Sequence, residues 1–115
     1  MKYDLEERTA RFAENVVKLA KKVLKNTVTI PIISQSVRAG TSIGANYCEA
    51  IGASSRKDFR NKIYICKKEM QETKFWLRIL STAEPNAKEA RELWKEAQEL
   101  TLIFSKILST LEKRK

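Results

Sequence analysis

The chain has 115 residues, 43% of them apolar and 32% charged, with a formal net charge of +9 and no His. That is enough for one domain around one core, too apolar for a disordered chain, and basic enough to favour polyanions such as RNA, DNA or an anionic surface as partners. Without His the commonest general base and metal ligand are missing; the two Cys form no CxxC pair and no Walker A or GxGxxG pattern occurs, so neither metal, cofactor nor enzyme is expected.

The opening stretch MKYDLEERTARF is charged and lacks the apolar core of a signal peptide. No run approaches the ~20 apolar residues of a membrane span. The expected location is therefore the cytoplasm, with Cys48 and Cys66 reduced and packed as small hydrophobes.

A first helix is predicted from about Asp4 to Lys25, with Leu5, Thr9, Phe12, Val16, Leu19, Ala20 and Val23 as its core stripe. Acids lead it and lysines end it, as the helix dipole prefers. NTVTI reads as a break, because its β-branched residues and the following Pro31 do not suit a helix interior. A second helix starts near Pro31 and ends near Gly52, with a new N-cap at Ser54 or Ser55. A third runs from about Arg56 to Thr82 on Phe59, Ile63, Cys66, Met70, Thr73, Leu77 and Leu80. After AEPNA, with Asn86 as N-cap, a fourth runs from about Ala87 to Glu112, and the terminal EKRK is expected to fray. Its stripe includes Ala90, Leu93, Trp94, Ala97, Leu100 and Phe104. Four long helices with short connections predict an all-α fold, an antiparallel up-down four-helix bundle forming a single domain over residues 1–115.

The second helix is unusual. Its segment SVRAGTSIGANYCEA carries one Arg and one Glu in a chain that is nearly a third charged. At about 100° per residue, Ile33, Val37, Gly44, Tyr47, Cys48 and Ile51 gather on one side, assigned to the core. Gln35, Arg38, Ser42, Asn46 and Glu49 gather in an arc of roughly 80°. The remainder (Ile32, Ser36, Ala39, Gly40, Thr41 and Ala50) is small or apolar. No solvated face is left, so a second surface is expected to cover this helix, most simply another copy of the chain approaching over Ala39, Gly40, Ser42, Gly44 and Ala45.

A charge in such an interface needs a partner. Arg38 and Glu49 are eleven residues apart, about 16 Å along the axis, too far to pair. Arg38 is expected to meet Glu72 of the third helix, which shares its side with Glu69, Ile65, Trp76 and Ile79. Gln35, Arg38, Ser42, Asn46, Glu49, Glu72 and Trp76 are thus read as a structural polar network at an oligomer interface. The functional alternative is a ligand or acid-base pocket on Arg38, Asn46, Glu49 and Glu72.

QSVRAGTSIGANYCEA followed by DFRNKIYICKKEMQETKFWLRIL resembles the four-helix-bundle family of proteins encoded in intervening sequences of bacterial 23S ribosomal RNA genes. The matching positions are Arg38, Ser42, Ile43, Asn46, Glu49, Phe59, Lys68, Glu69, Glu72, Thr73, Trp76 and Leu77. One departure is Glu49-Ala50 where the family has Glu-Gly; the glycine comes later, at Gly52. The resemblance implies an antiparallel bundle that assembles into a homo-oligomer, in relatives a ring of five. It also implies kinship with the accessory variability determinant proteins of diversity-generating retroelements, basic bundles that associate with a reverse transcriptase and nucleic acid.

Two basic rows are candidates for nucleic-acid contact. On the third helix, Arg56, Arg60, Lys67, Lys74 and Arg78 fall within roughly 40° of one another, with Tyr64 and Gln71 between them and Phe75 at the edge. A cationic row with an interleaved aromatic suits phosphate contacts plus base stacking. On the first helix, Lys18, Lys22 and Lys25 continue from Arg11 opposite the core stripe; the plain reading there is a solvated face with dipole-favoured lysines. The fourth helix alternates signs from Lys88 to Glu99 and reads as an ordinary solvated face with local ion pairs. Trp94 is assigned to the core and Trp76 to an interface. The sequence thus supports a non-enzymatic, oligomeric nucleic-acid-binding bundle, with a protein-interaction scaffold as the alternative.

Overall fold

Capping sets the helix ends. The Asp4 side chain accepts from the Glu7 amide at 3.3 Å and the Ser55 hydroxyl accepts from the Asp58 amide at 3.0 Å, each satisfying a first-turn donor. The computed structural model describes residues 4–85 and 88–113. It contains α1 (Leu5–Lys22), α2 (Thr29–Ile51), α3 (Arg56–Ala83) and α4 (Lys88–Lys113), and no strand among the described residues. The expected N-cap Asn86 and the last two residues of EKRK lie outside the described residues.

The break after α1 lies earlier than the sequence implies: α1 ends at Lys22 instead of Lys25, and α2 begins at Thr29 instead of Pro31. Asn26 Oδ1 accepts from the amides of Val28 and Thr29, both at 2.9 Å, and the Thr29 hydroxyl donates to the Leu24 carbonyl at 2.6 Å. These bonds pin the turn and let α2 begin at Thr29, with Pro31 still in the first turn, where a missing amide hydrogen is harmless. At the other end Gly52 closes α2 at φ −87°, its amide reaching the carbonyls of Ala50 and Cys48.

The stripes of α1 and α3 are buried as expected, apart from half-buried Ala20 and Phe59. In α4, Ala90, Leu93, Ala97, Leu100 and Phe104 are buried, but Trp94 lies at the edge of the core, 36% exposed. The phase expected for α2 is corrected. Its buried side is Thr29, Ile32, Ser36, Ala39, Gly40, Ile43 and Ala50. Ile33, Val37 and Tyr47 pack on the flank of the core, and Cys48 and Ile51 are exposed. Helix α2 therefore puts its small residues inward, because α1 comes close. A Cβ on Gly40 would stand 3.0 Å from a Val16 methyl, whereas one on Gly44 would meet Thr9 at 3.5 Å. The glycines expected to admit a second copy thus serve the α1–α2 contact of one chain.

Buried hydroxyls are satisfied locally: Thr9, Ser36 and Thr101 each donate to the carbonyl four residues back. Gly40 faces Val16 and Gly44 faces Thr9; Arg38 meets Glu72 and Glu49 meets Lys62; Arg60 meets Glu112 and Lys74 meets Gln98. Each pairing descends one helix as it climbs its neighbour. Helix α1 also lies beside α4, so the helices form a four-membered ring around the core, 49 Å long. No helix among the described residues is long and apolar enough to cross a membrane.

The glycine contacts predict opposite outcomes. Gly44→Ala has ordinary van der Waals room and gains helix propensity, so it should raise stability by about 0.5–1 kcal/mol. Gly40→Ala must displace the stiff Val16 side chain and should lower stability by roughly 1 kcal/mol. Urea unfolding followed by circular dichroism measures both.

Candidate functional site

The charges of α4 alternate in sequence but separate in space. Its acids turn toward α1. Arg8 of α1 forms a two-pronged ion pair with Glu96, Nη2 to Oε1 at 2.9 Å and Nε to Oε2 at 3.0 Å, and reaches Glu99 at 2.9 Å. The hydrogen bond to Glu96 raises the Arg8 pKa against the opposing effect of burial. Lys22 pairs with Glu89 at 3.2 Å. Bonding to its own backbone amide in the first turn of α4, then to Lys22, holds the Glu89 carboxyl below its usual value. Lys18 and Lys22 thus line a groove of about 680 Å³ shared with Glu89, Glu92 and Glu96. Lys25 bends back to donate to the Ala20 and Val23 carbonyls at 2.9 and 3.1 Å. The α1 row sits in mixed-sign surroundings and does not join the row on α3.

The α3 row follows the seam between α3 and α4. At its N-terminal end Arg56 donates to the Leu111 carbonyl at 3.0 Å, and Arg60 meets Glu112 at 3.4 Å. Next, Arg60, Tyr64 and Lys67 border a groove of about 440 Å³ against Leu108, with Tyr64 64% exposed. Further on, Lys74 hydrogen-bonds Gln98 and lies over the Trp94 ring, 5.0 Å from its centroid. Beyond it Arg78 faces Arg91 and Lys95 of α4 across a groove of about 740 Å³. Among the described residues Lys67, Arg78 and Lys95 form no ion pair. From Arg56 to Arg78 the row extends for about 33 Å of helix. Sequence reading missed Arg91 and Lys95, since alternating signs look like a solvated face; only the phase of α4 reveals that Arg91 and Lys95 turn to the seam while Glu89, Glu92 and Glu96 turn to α1.

The polar residues assigned to α2 and α3 form separate groups. Arg38 hydrogen-bonds Glu72, lies 3.4 Å from Glu69 and donates from Nε to Gln35 at 2.9 Å, while Trp76 Nε1 donates to Glu72 at 3.1 Å. Arg38, taken as buried, is 47% exposed within one chain. Ser42 and Asn46 bond only to carbonyls of their own helix, Ala39 and Ser42 respectively, both at 2.9 Å. Glu49 pairs with Lys62 at 2.7 Å, a partner not foreseen, and that bond raises the Lys62 pKa. Arg38, Asn46, Glu49 and Glu72 thus do not converge on one pocket. Among the described residues no group of three or more Cys, Asp or Glu could hold a metal ion.

A model of the 23S rRNA-intervening sequence protein family matches residues 1–106. The crystal structure of a protein of unknown function from the S23 ribosomal protein family of Bacteroides thetaiotaomicron VPI-5482 is similar over 90% of this chain and 96% of that one, at 33% identity and a TM-score of 0.81. No curated protein matches.

The two cysteines, free in this structure, should differ in reactivity. Burial pushes the Cys66 thiol up to about 12, and its Sγ donates to the Ile43 carbonyl; Cys48 is exposed. At pH 8, in dilute protein kept as single folded chains, a thiol reagent should titrate one cysteine per chain and two after unfolding, with Cys48→Ser leaving none in the folded chain.

Proposed function

We propose that this chain, which belongs to the 23S rRNA-intervening sequence protein family, is a non-enzymatic, self-associating bundle that holds nucleic acid by its phosphates along the α3–α4 seam. The observation that carries the reading is the segregation of charge on α4. Its acids neutralise Arg8 and Lys22 on the α1 side, while Arg91 and Lys95 add to the α3 row. A line of cations along one seam matches a phosphate backbone better than a compact anion. The sequence's resemblance to retroelement accessory proteins points the same way and makes a reverse transcriptase one protein that such an assembly could serve.

Self-association is supported by α2. Arg38 and Glu49 are its only charges, and its outward residues include exposed Ser34, Ala45 and Cys48. That face carries little to hold water, and a second copy of the chain would cover it, with a ring of five as the arrangement the family resemblance implies. The Arg38–Glu72–Trp76 group borders the face and would become desolvated in an assembly.

Fluorescence anisotropy of nuclease-treated protein against structured RNA, duplex DNA and single strands tests the binding. With about four phosphate contacts, log affinity should fall with log salt at a slope of roughly −3. Arg60→Glu with Lys67→Glu should flatten that slope by about 2 and weaken binding at least tenfold. Binding indifferent to salt or to this double reversal would leave a protein-interaction scaffold as the role of the fold.

Light scattering tests assembly. Within one chain the half-exposed Arg38 pair is worth about 1 kcal/mol or less. Arg38→Ala should therefore stay helical yet shift toward the mass of a single chain. A variant that kept the wild-type mass but lost nucleic acid would instead place Arg38 in the binding surface.

A further inference from the structure

The groove between Arg78 of α3 and Arg91 and Lys95 of α4 combines cations with exposed aromatic rings. Phe75 and Trp94 stand in its walls with Lys74, Arg78, Arg91 and Lys95, and none of the described residues lining it is acidic. Its volume of about 740 Å³ lies within the range of about 300–1,000 Å³ common for small-molecule clefts. Phe75 is 53% exposed yet braced from behind: its ring meets Trp76 edge to face, centroids 5.1 Å apart and planes at 77°. Trp76 in turn is tied through Nε1 to Glu72. On the other wall, Lys74 is held over the Trp94 ring at 5.0 Å and by Gln98. These are pre-positioned side chains on two rigid helices, so little freedom is lost when a ligand enters.

Resting on the reading of the seam as a nucleic-acid surface, we propose that this groove is a subsite for an unpaired nucleotide, whose base stacks on Phe75 and Trp94 while Arg78, Arg91 and Lys95 hold the flanking phosphates. Every base has a π face that an exposed ring can take, and the anionic backbone beside it complements the three cations. A phosphate-only surface would have no use for two rings among its cations. A continuous duplex keeps its bases stacked and cannot offer one, so the ligand class is a single strand, a loop or a bulge. Gln71, exposed at the same groove, is within its polar rim and can hydrogen-bond a base edge without strict sequence preference.

The test compares a short labelled oligothymidylate with an abasic strand of the same length, by anisotropy at matched salt, on wild-type protein and on Phe75→Leu and Trp94→Leu. The base-bearing strand should bind wild-type at least about tenfold more tightly. Phe75→Leu should erase most of that difference and leave the abasic affinity unchanged, and Trp94→Leu, which also releases Lys74, should erase most of the difference as well. Equal binding of the two strands to wild-type overturns the subsite while leaving salt-dependent phosphate binding intact. Failure of both strands and of duplex to bind at low salt overturns the phosphate reading of the seam as well. Circular dichroism checks that each variant is folded; should Trp94→Leu unfold, the exposed Phe75 position and the wild-type comparison still decide.

Discussion

The angular phase of each helix is the constraint from which the surface of this bundle follows. Four apolar stripes must meet in one core, and once they do, no side chain is free to choose its face. On α4 the consequence is electrostatic. The core turns inward on Ala90, Leu93, Ala97, Leu100 and Phe104, which carries Glu89, Glu96 and Glu99 to the α1 side. The bases of the same sequence stretch are left facing α3. Over its first half, a helix of balanced charge thus turns acids to one interface and bases to the other, and Glu112 in its last turn is the acid that meets the seam, at Arg60.

The same constraint explains which parts of the fold were legible. Three helices carry large residues at the centre of their stripes, and counting by threes and fours finds them. Helix α2 inverts the pattern. Its buried side puts Ser36, Ala39, Gly40 and Ala50 beside only two large residues, Ile32 and Ile43, and leaves the bulky Ile33, Val37 and Tyr47 on the flank. Weighting by side-chain size rotates the stripe off its true centre. What decides the phase is the partner: Val16 fills the space beside Gly40, so smallness at that position is a packing requirement that only α1 makes visible.

The candidate sites divide by the range of the interaction. Pairing Arg38 with Glu72 could be foreseen because both lie on half-apolar helix faces where a charge needs a partner. Glu49 could not be matched to Lys62 in the same way. Both sit near the α2–α3 turn, and their pairing depends on where Gly52 and Ser55 set the helix ends. Trp94 was misplaced for another reason. It shares the hydrophobic spacing of its helix, but its ring lies at the margin of the core, 36% exposed, with Lys74 over its face. Periodicity identifies an apolar residue near a stripe and does not say on which side of the stripe's edge it falls.

The basic row is not uniform in its physical justification. Arg56 satisfies the Leu111 carbonyl in the last turn of α4, where a cation also favours the helix dipole, and Arg60 meets Glu112 beside it. Both have sufficient structural work in the folded chain. Lys74 is held by Gln98 and Trp94. Lys67, Arg78 and Lys95 are different: among the described residues no carboxylate comes to them, and they stand beside Tyr64, Phe75 and Trp94, the aromatic groups of the seam. Placing like charges along one seam costs self-repulsion, which Glu112 relieves at Arg60 and no ion pair relieves at Lys67, Arg78 or Lys95 among the described residues. An anionic ligand relieves it, and the aromatic rings at the same points give that ligand something other than charge to hold. Lys67, Arg78 and Lys95, which have no carboxylate partner among the described residues, therefore suit an anionic ligand better than the arginines at the start of α3 do.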